Sequence, residues 1–500
     1  MSNASTRPKA CVIGAGFAGL SAATHLARKG FEVCIVEKND QAGGRARKFD
    51  VEGFVFDMGP SWYWMPDVFD RYFSLFGYRT EELYDLHRLN PSFRVFFENN
   101  EAVDVPANTD ELYDLFESKE SGSAAKLKKF LEESAYKYQV GMQDLVFKPG
   151  RSLLEFADTR VLGGLMRMQL LSSMSNYVRK YFSNSQLIRI LEFPVLFLGA
   201  TPKDTPALYS LMNYADLSLG TWYPMGGMHR IVEAMVRVAE ENGVRIHLNQ
   251  EVKGFEYHAD GKIAAVLTDQ SRFETDVVIG GADYEHIDQQ LLPVEKRNYS
   301  KKYWDSRKMA PSSLLFYLGV NKRIPNLLHH NLFFDEDFGL HATEIYDDPK
   351  WPSKPLFYVS CPSKTDSSVA PEGSENLFLL VPVAPGLTDD EATREKYYHL
   401  IMDRLEARTG TDIRSHVVYK RSYAHRDFIE DYHAFKGNAY GLANTLGQTA
   451  VLKPSLKSKR IGNLYFTGQL TTPGPGVPPS LISGEVVCSE VVKDFKILTA

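Results

Sequence analysis

The 500-residue chain carries only four cysteines, Cys11, Cys34, Cys361 and Cys488, and none forms a C-x-x-C pair. A disulfide framework and a thiolate metal site are thereby excluded, no metal is expected, and the usage fits a reducing cytoplasm. An excess of positive charge is also missing. Lys and Arg total 57 against 63 Asp and Glu, a formal charge of −6, so no broad basic field exists to hold nucleic acid. No apolar run approaches the roughly 18 to 20 residues that a membrane-spanning helix needs. Stretches such as Phe193 to Ala200 are far shorter, so the chain is expected to rest on a bilayer surface at most. Met1 to Pro8 is short and polar, and the apolar run behind it leads straight into a glycine loop, so no secretory signal is expected. Internal repeats and low-complexity segments are absent, although the length requires at least two domains.

What is present begins with a βαβ pattern. Ala10-Cys11-Val12-Ile13 reads as a buried strand, and the loop Gly14-Ala15-Gly16-Phe17-Ala18-Gly19 follows at once. Leu20, Ala23, Leu26 and Ala27 then recur at helical spacing, Gly30 ends the helix, and Val33-Cys34-Ile35-Val36 forms a second strand closed by Glu37. Gly14 permits the tight turn, Gly16 lets a pyrophosphate approach the backbone, and Gly19 lets the helix pack on the sheet. The helix N-terminus turns free N–H groups and a positive dipole end toward phosphate. Glu37 stands where a carboxylate accepts bonds from ribose hydroxyls. Lys38 is a second candidate contact, although an exposed lysine after a strand is commonplace. Alone the glycine string is a weak signal; in this strand–loop–helix–strand context it is a strong one.

Gln41-Ala42-Gly43-Gly44-Arg45 and Phe54-Val55-Phe56-Asp57-Met58-Gly59-Pro60-Ser61 come next. Here the sequence resembles the flavoprotein family that includes amine oxidases and carotenoid desaturases. The resemblance implies FAD, with Gly43, Gly44 and Arg45 along the pyrophosphate and ribityl chain and Asp57 to Ser61, among them Gly59, Pro60 and Ser61, approaching the flavin. No second G-x-G-x-x-G occurs, so a built-in NAD(P)H domain is not expected and electrons leave to an external acceptor, oxygen or a quinone.

Near the C-terminus, Leu464-Tyr465-Phe466 reads as a strand ended by Gly468 and Gln469, and Pro473-Gly474-Pro475-Gly476-Val477 precedes a helical pattern. Pro478 and Pro479 mark the helix start, because proline is favoured in a first turn. Free N–H groups near Val477 would stabilise negative charge on a reduced flavin. This segment resembles the signature of bacterial-type phytoene desaturases, in a variant form similar to that of the Bacteroidetes enzymes. Two positions depart from the commonest form: Gln469-Leu470 and Pro475 each replace small residues. Gly468, Gln469, Gly476 and Val477 are therefore implied flavin contacts. The resemblance extends through Trp222-Tyr223-Pro224-Met225-Gly226-Gly227 and a main-chain contact at Val252.

The expected fold is α/β, a Rossmann-like FAD-binding domain with a discontinuous mixed α+β substrate domain containing a helical portion. Residues 1–88, 222–290 and 436–500 are expected to hold the flavin; 89–221 and 291–435 are expected to hold the substrate and face the membrane. Leu162 to Leu171 and Leu191 to Ala200 read either as core helices or as the walls of a hydrocarbon tunnel. The implied reaction is desaturation of phytoene up to lycopene by a cytoplasmic, peripherally membrane-associated enzyme, its oligomeric state left open. The alternatives are a hydroxycarotenoid 3,4-desaturase, a C30 desaturase, a carotenoid isomerase, a flavin amine oxidase and a non-catalytic flavoprotein scaffold. No nucleophile–base pair or paired carboxylates stand out. Asp57, His229 and His425 are polar candidates, but each type is more often structural, and no catalytic residue is assigned.

Overall fold

Short runs of Val, Ile, Ala and Cys, too brief for helices, become the strands of a five-stranded parallel sheet. The computed structural model describes residues 7–152, 155 and 172–495. Strands β1 (Lys9–Ile13), β2 (Glu32–Val36), β3 (Arg245–His247), β4 (Val277–Gly280) and β5 (Leu464–Phe466) lie in the order β5-β4-β1-β2-β3. Every neighbouring pair is parallel. A parallel sheet is covered on both faces, which is why β1 and β4 are apolar without alternation. The order reverses beside β1, and in open α/β sheets a ligand crevice forms at such a reversal. Strand β3 ends at His247, so Val252 does not belong to it. The chain breaks at Asn249, whose φ is +54°, and Val252 opens a separate strand, Val252–Tyr257.

Two helices from opposite ends of the chain cover one face together. Phe17–Arg28 follows β1, and Val477–Phe495 follows β5. They touch through small residues: a Cβ at Gly484 would lie 2.6 Å from the Ala22 nitrogen and 2.7 Å from the Ala18 carbonyl oxygen. The Ser21 hydroxyl donates to the Leu481 carbonyl at 2.7 Å in the same contact. At the outer edge Arg71 grips Glu485 with two bonds of 2.6 and 2.7 Å.

A second, seven-stranded mixed sheet runs in the order Val417–Tyr423, Ser312–Val320, Glu375–Val383, Phe357–Ser360, His330–Phe334, Phe93–Phe97 and Ala102–Val105. Phe93–Phe97 and Ala102–Val105 fall in a segment whose sequence pattern reads as helical. They are strands because Phe93–Phe97 pairs in parallel with the distant His330–Phe334, a partner that local periodicity does not reveal. One face of this sheet, with Leu314, Phe316, Leu379 and Val381, packs on Tyr398, Ile401 and Leu405 of the Glu391–Thr409 helix. The other face carries Leu315, Leu380, Tyr358 and Leu332, directly opposite one another across four strands. Leu162 to Leu171 lies outside the described residues. Among the described residues no helix is long and apolar enough to cross a membrane.

Gly484→Val would drive two methyl groups into the Ala18–Ala22 backbone. Overpacking of this kind costs about 1–3 kcal/mol, read as a lowered urea midpoint, whereas Gly254→Ala, at an ordinary φ and with nothing within 4 Å of the added carbon, should cost less.

Candidate cofactor and substrate site

The carboxyl ends of all five parallel strands open on one cavity of about 470 Å³. Gly14 and Gly16 line it after β1, Glu37 and Lys38 after β2, Gln250 and Val252 after β3, Gly281 after β4, and Gly468 and Gln469 after β5. Both helix N-termini reach it, through Phe17 and Ala18 at one and Gly476 and Val477 at the other. Free N–H groups and two positive dipole ends therefore converge on it.

The two glycine loops form one structure. The Gly43 N–H donates to the Ala15 carbonyl at 2.8 Å, and Gly16 and Gly43 make a parallel bridge. A Cβ at Gly44 would sit 3.3 Å from the Gly16 Cα. Gly43 and Gly44 have φ of +115° and +55°, the left-handed region that glycine occupies without penalty. Gly59 packs next to them, where a Cβ would lie 2.5 Å from the Arg45 carbonyl oxygen. Gly43, Gly44, Arg45, Gly59, Pro60 and Ser61 all line the cavity.

Two of the expected contacts, Ala15 and Gly19, do not line it. The Ala15 N–H is given to Glu37 Oε2 at 2.7 Å, so this residue orients the carboxylate. The Asn39 N–H and side-chain amide hold the other oxygen at 2.9 and 3.0 Å. A carboxylate has about four lone-pair directions, so Glu37 retains accepting capacity toward the cavity. Gly19 is a packing residue: a Cβ there would fall directly on the Gly14 carbonyl oxygen. Lys38 lines the cavity but donates its ammonium to the Glu430 carbonyl.

Arg45 is desolvated, which lowers its pKa, while the nearby Asp283 carboxylate opposes that shift. Its guanidinium lies 5.2 Å from the centre of the Tyr432 ring, and its Nε has no partner among the described residues. In the amide orientation that satisfies both ends, Gln469 accepts from Arg45 Nη2 at 2.9 Å and donates to the Tyr440 carbonyl at 3.2 Å. The variant glutamine in the C-terminal signature thus holds the arginine of the second glycine loop. An orphaned cationic donor, a glycine cradle and two helix N-termini fit an extended diphosphate-bearing cofactor.

The three polar candidates lie elsewhere. The Asp57 carboxylate accepts from the Met228 and His229 N–H groups at 2.7 and 2.9 Å, capping the His229–Glu241 helix. His229 Nδ1 pairs with the Ala46 carbonyl at 2.9 Å, and His425 Nε2 with the Ala384 carbonyl at 2.8 Å. None of the three lines the large cavity.

Beyond the glycine loops the cavity becomes apolar. Its floor is the free face of the seven-stranded sheet, and Phe338, His341, Ala342, Ile345 and Tyr346 line it from one stripe of the Phe338–Tyr346 helix. Phe193 and Leu196, from the apolar run at Leu191 to Ala200, contribute as well. The sequence reading missed the sheet and helix residues. The helix signal was there, in the spacing 338, 341, 342, 345 and 346 on one face.

Residues 17–492 match the family model described as flavin containing amine oxidoreductase. The chain belongs to that family. Family membership and the cradle agree on FAD as the cofactor. A carotenoid 3,4-desaturase from Haloarcula japonica is 41% identical over 97% of this chain and 98% of its own. A zeta-carotene-forming phytoene desaturase from Myxococcus xanthus is 31% identical over 96% and 93%. Among solved structures, an oxidoreductase from Methanosarcina mazei superposes with a TM-score of 0.63 at 17% identity, covering 96% of this chain and 100% of that one. That likeness concerns the fold alone.

Two outcomes follow from these positions. Gly16→Val should fold, since the nearest atom to its Cβ is the Gly44 Cα at 4.0 Å, yet it should purify without yellow flavin. Stoichiometric FAD in that variant would overturn the placement. Asp57 has its pKa raised by burial from 3.8 to about 6. An acid whose folded pKa is raised gives its full stabilisation below the unfolded value and loses it as pH rises through the folded one. Relative to Asp57→Asn, the wild type should therefore lose roughly 2 kcal/mol between pH 4 and pH 7, measured by denaturant titration.

Proposed function

We propose that the protein carries out FAD-dependent desaturation of a carotenoid, with phytoene and its partly desaturated products up to lycopene as substrates. Bound FAD supplies the hydride acceptor. Gly14, Gly16, Gly43, Gly44 and Arg45 would hold the diphosphate, Glu37 and Val252 the adenosine side, and Gly59, Ser61, Gly468, Gly476 and Val477 the flavin side. In this reading 1–88, 222–290 and 436–500 form the cofactor half, and 89–221 and 291–435 the substrate half. The insoluble substrate is drawn from a membrane surface that the enzyme meets peripherally.

The observation that carries the reading is the floor row of Leu315, Leu380, Tyr358 and Leu332. A hydrocarbon offers nothing to hydrogen-bond, so shape and desolvation dominate its binding, and such a floor suits it. A polar amine would be held by a carboxylate or by an aromatic cage, and the floor row supplies no carboxylate. The acidic residues that line the cavity are Glu37, Glu251, Asp283 and Asp431, and each is engaged near the nucleotide end. Asp283 caps a helix, Asp431 pairs with Arg47 at 2.5 Å, and Glu251 pairs with Lys253 at 2.7 Å. A second reading, 3,4-desaturation of a hydroxylated carotenoid, is favoured by the 41% identity to the Haloarcula enzyme over nearly the whole length.

Expression in a phytoene-accumulating bacterial host, followed by carotenoid profiling, separates these readings. Coloured, more desaturated products are expected; phytoene left unchanged by an FAD-loaded enzyme would sink the first reading. Leu380→Trp should retain FAD and cut conversion at least about tenfold, the effect of roughly 1.4 kcal/mol in the transition state.

A further inference from the structure

Desaturation removes a hydride from one carbon and a proton from its neighbour, and the reading above assigns only the hydride. The proton's destination must meet two conditions. It must lie on the cavity wall, and it must be unprotonated when substrate arrives. It need not be a strong base, because the carbon that loses the proton stands next to an electron-deficient, allylic carbon.

Tyr358 lines the cavity on the sheet floor, and its hydroxyl lies 2.6 Å from His330 Nδ1. Ser360 and Ser61 also reach the phenol. Ser61 itself lines the cavity, two residues from Gly59, which packs on Arg45. His330 is fully buried behind the phenol, and its Nε2 has no partner among the described residues. An unsatisfied buried polar group in a native fold requires an explanation, and a role in proton transfer is one. The Trp62 indole lies face to face with the imidazole, 4.1 Å between centres and 11° between planes. That stacking favours the ring once it becomes a cation.

We propose that Tyr358 and His330 form the proton acceptor of the reaction. FAD held at the glycine loops would accept the hydride from one carbon; the adjacent C–H bond breaks, its electron pair becomes the new C=C bond, and its proton passes to the Tyr358 oxygen. The phenol proton moves to His330 Nδ1, giving an imidazolium; it returns through Tyr358 and Ser61 to water after product leaves. Burial holds the imidazole's pKa well below its usual value, with the neighbouring His329 acting in the same direction, so the ring is neutral when substrate arrives and the imidazolium, once formed, gives its proton up again readily.

Two other polar groups on the wall lack one element. His341 has both ring nitrogens committed, Nε2 to the Pro382 carbonyl at 2.9 Å and Nδ1 to the Leu356 N–H at 3.0 Å. Tyr432 receives a hydrogen bond from Arg47 and so faces a cation instead of a base.

This relay rests on the desaturase reading, and one experiment keeps the two apart. Holoenzymes of the wild type, Tyr358→Phe and His330→Gln are compared on phytoene in liposomes, deuterated at either carbon of the reacting pair. Both variants should keep full FAD content, convert phytoene at least about tenfold more slowly, and show a larger isotope effect at the proton-losing carbon only. Nitrogen NMR of selectively labelled histidine should find His330 Nδ1 unprotonated in the resting wild type and its shift altered in Tyr358→Phe. Unchanged turnover, an unchanged isotope effect at that carbon, or a protonated resting Nδ1 would overturn the relay while leaving the desaturase reading standing. A wild type that leaves phytoene untouched would remove both.

Discussion

The site depends on one backbone contact between the two ends of the chain. Helix Phe17–Arg28 and helix Val477–Phe495 approach so closely that position 484 admits no side chain. Close approach fixes both helix N-termini at the same end of the sheet, and those termini carry the unsatisfied N–H groups that a negatively charged ligand requires. The glycine loop after β1 and the proline-rich loop after β5 are more than four hundred residues apart in the sequence. They can act on one cofactor only because Gly484 lets the helices touch. The Arg71–Glu485 pair adds little energy at its partly exposed position, but its two-pronged geometry fixes the register of one helix against the other.

A second contact of the same kind divides labour among the glycines. Gly16 has room where its side chain is missing, whereas a Cβ at Gly43 would meet the Ala46 carbonyl at 3.1 Å and one at Gly44 the Gly16 Cα at 3.3 Å, so these two let the loops close on each other. Gly19 and Gly484 face protein backbone, so their missing side chains concern packing. The motif treats these positions as one string, yet the physical reasons differ residue by residue. Ala15 shows the point further. It sits inside the string but spends its N–H on Glu37, so the loop shapes the carboxylate that follows β2 before any ligand arrives.

Much of the cofactor half was legible because its signals are local. A strand, a glycine turn and a helix start lie within a few residues, and each has its own chemistry. The floor of the cavity was not legible. Ser312–Val320 and most of Glu375–Val383 are apolar at nearly every position, since both faces of those strands are buried, and a pattern without alternation cannot say which face meets a ligand. Phe93–Phe97 was lost for a different reason: its partner lies over two hundred residues away. Asp57 takes the structural role that such a carboxylate more often has: it caps the helix at His229 and stays off the cavity to which the resemblance brought it.

The titratable groups around the cavity show what chemistry the environment tolerates. Burial lowers the pKa of His330 and of His341, the latter to about 4, and raises the phenols of Tyr346, Tyr358 and Tyr440. Every one of these shifts favours the neutral form, as desolvation must when no counter-charge is near. The wall beyond the glycine loops is thus a medium that resists charge, and ionic groups are kept at the nucleotide end. A reaction that separates hydride from proton creates charge in that medium, so the places able to accept it are few. The helix N-termini at Val477 and Phe17 favour negative charge, and the Trp62 face stacked on His330 offsets part of the cost of a positive one. Those two spots belong to separate elements. Selectivity for an apolar substrate and control over where charge develops then have the same cause, the dryness of the sheet face.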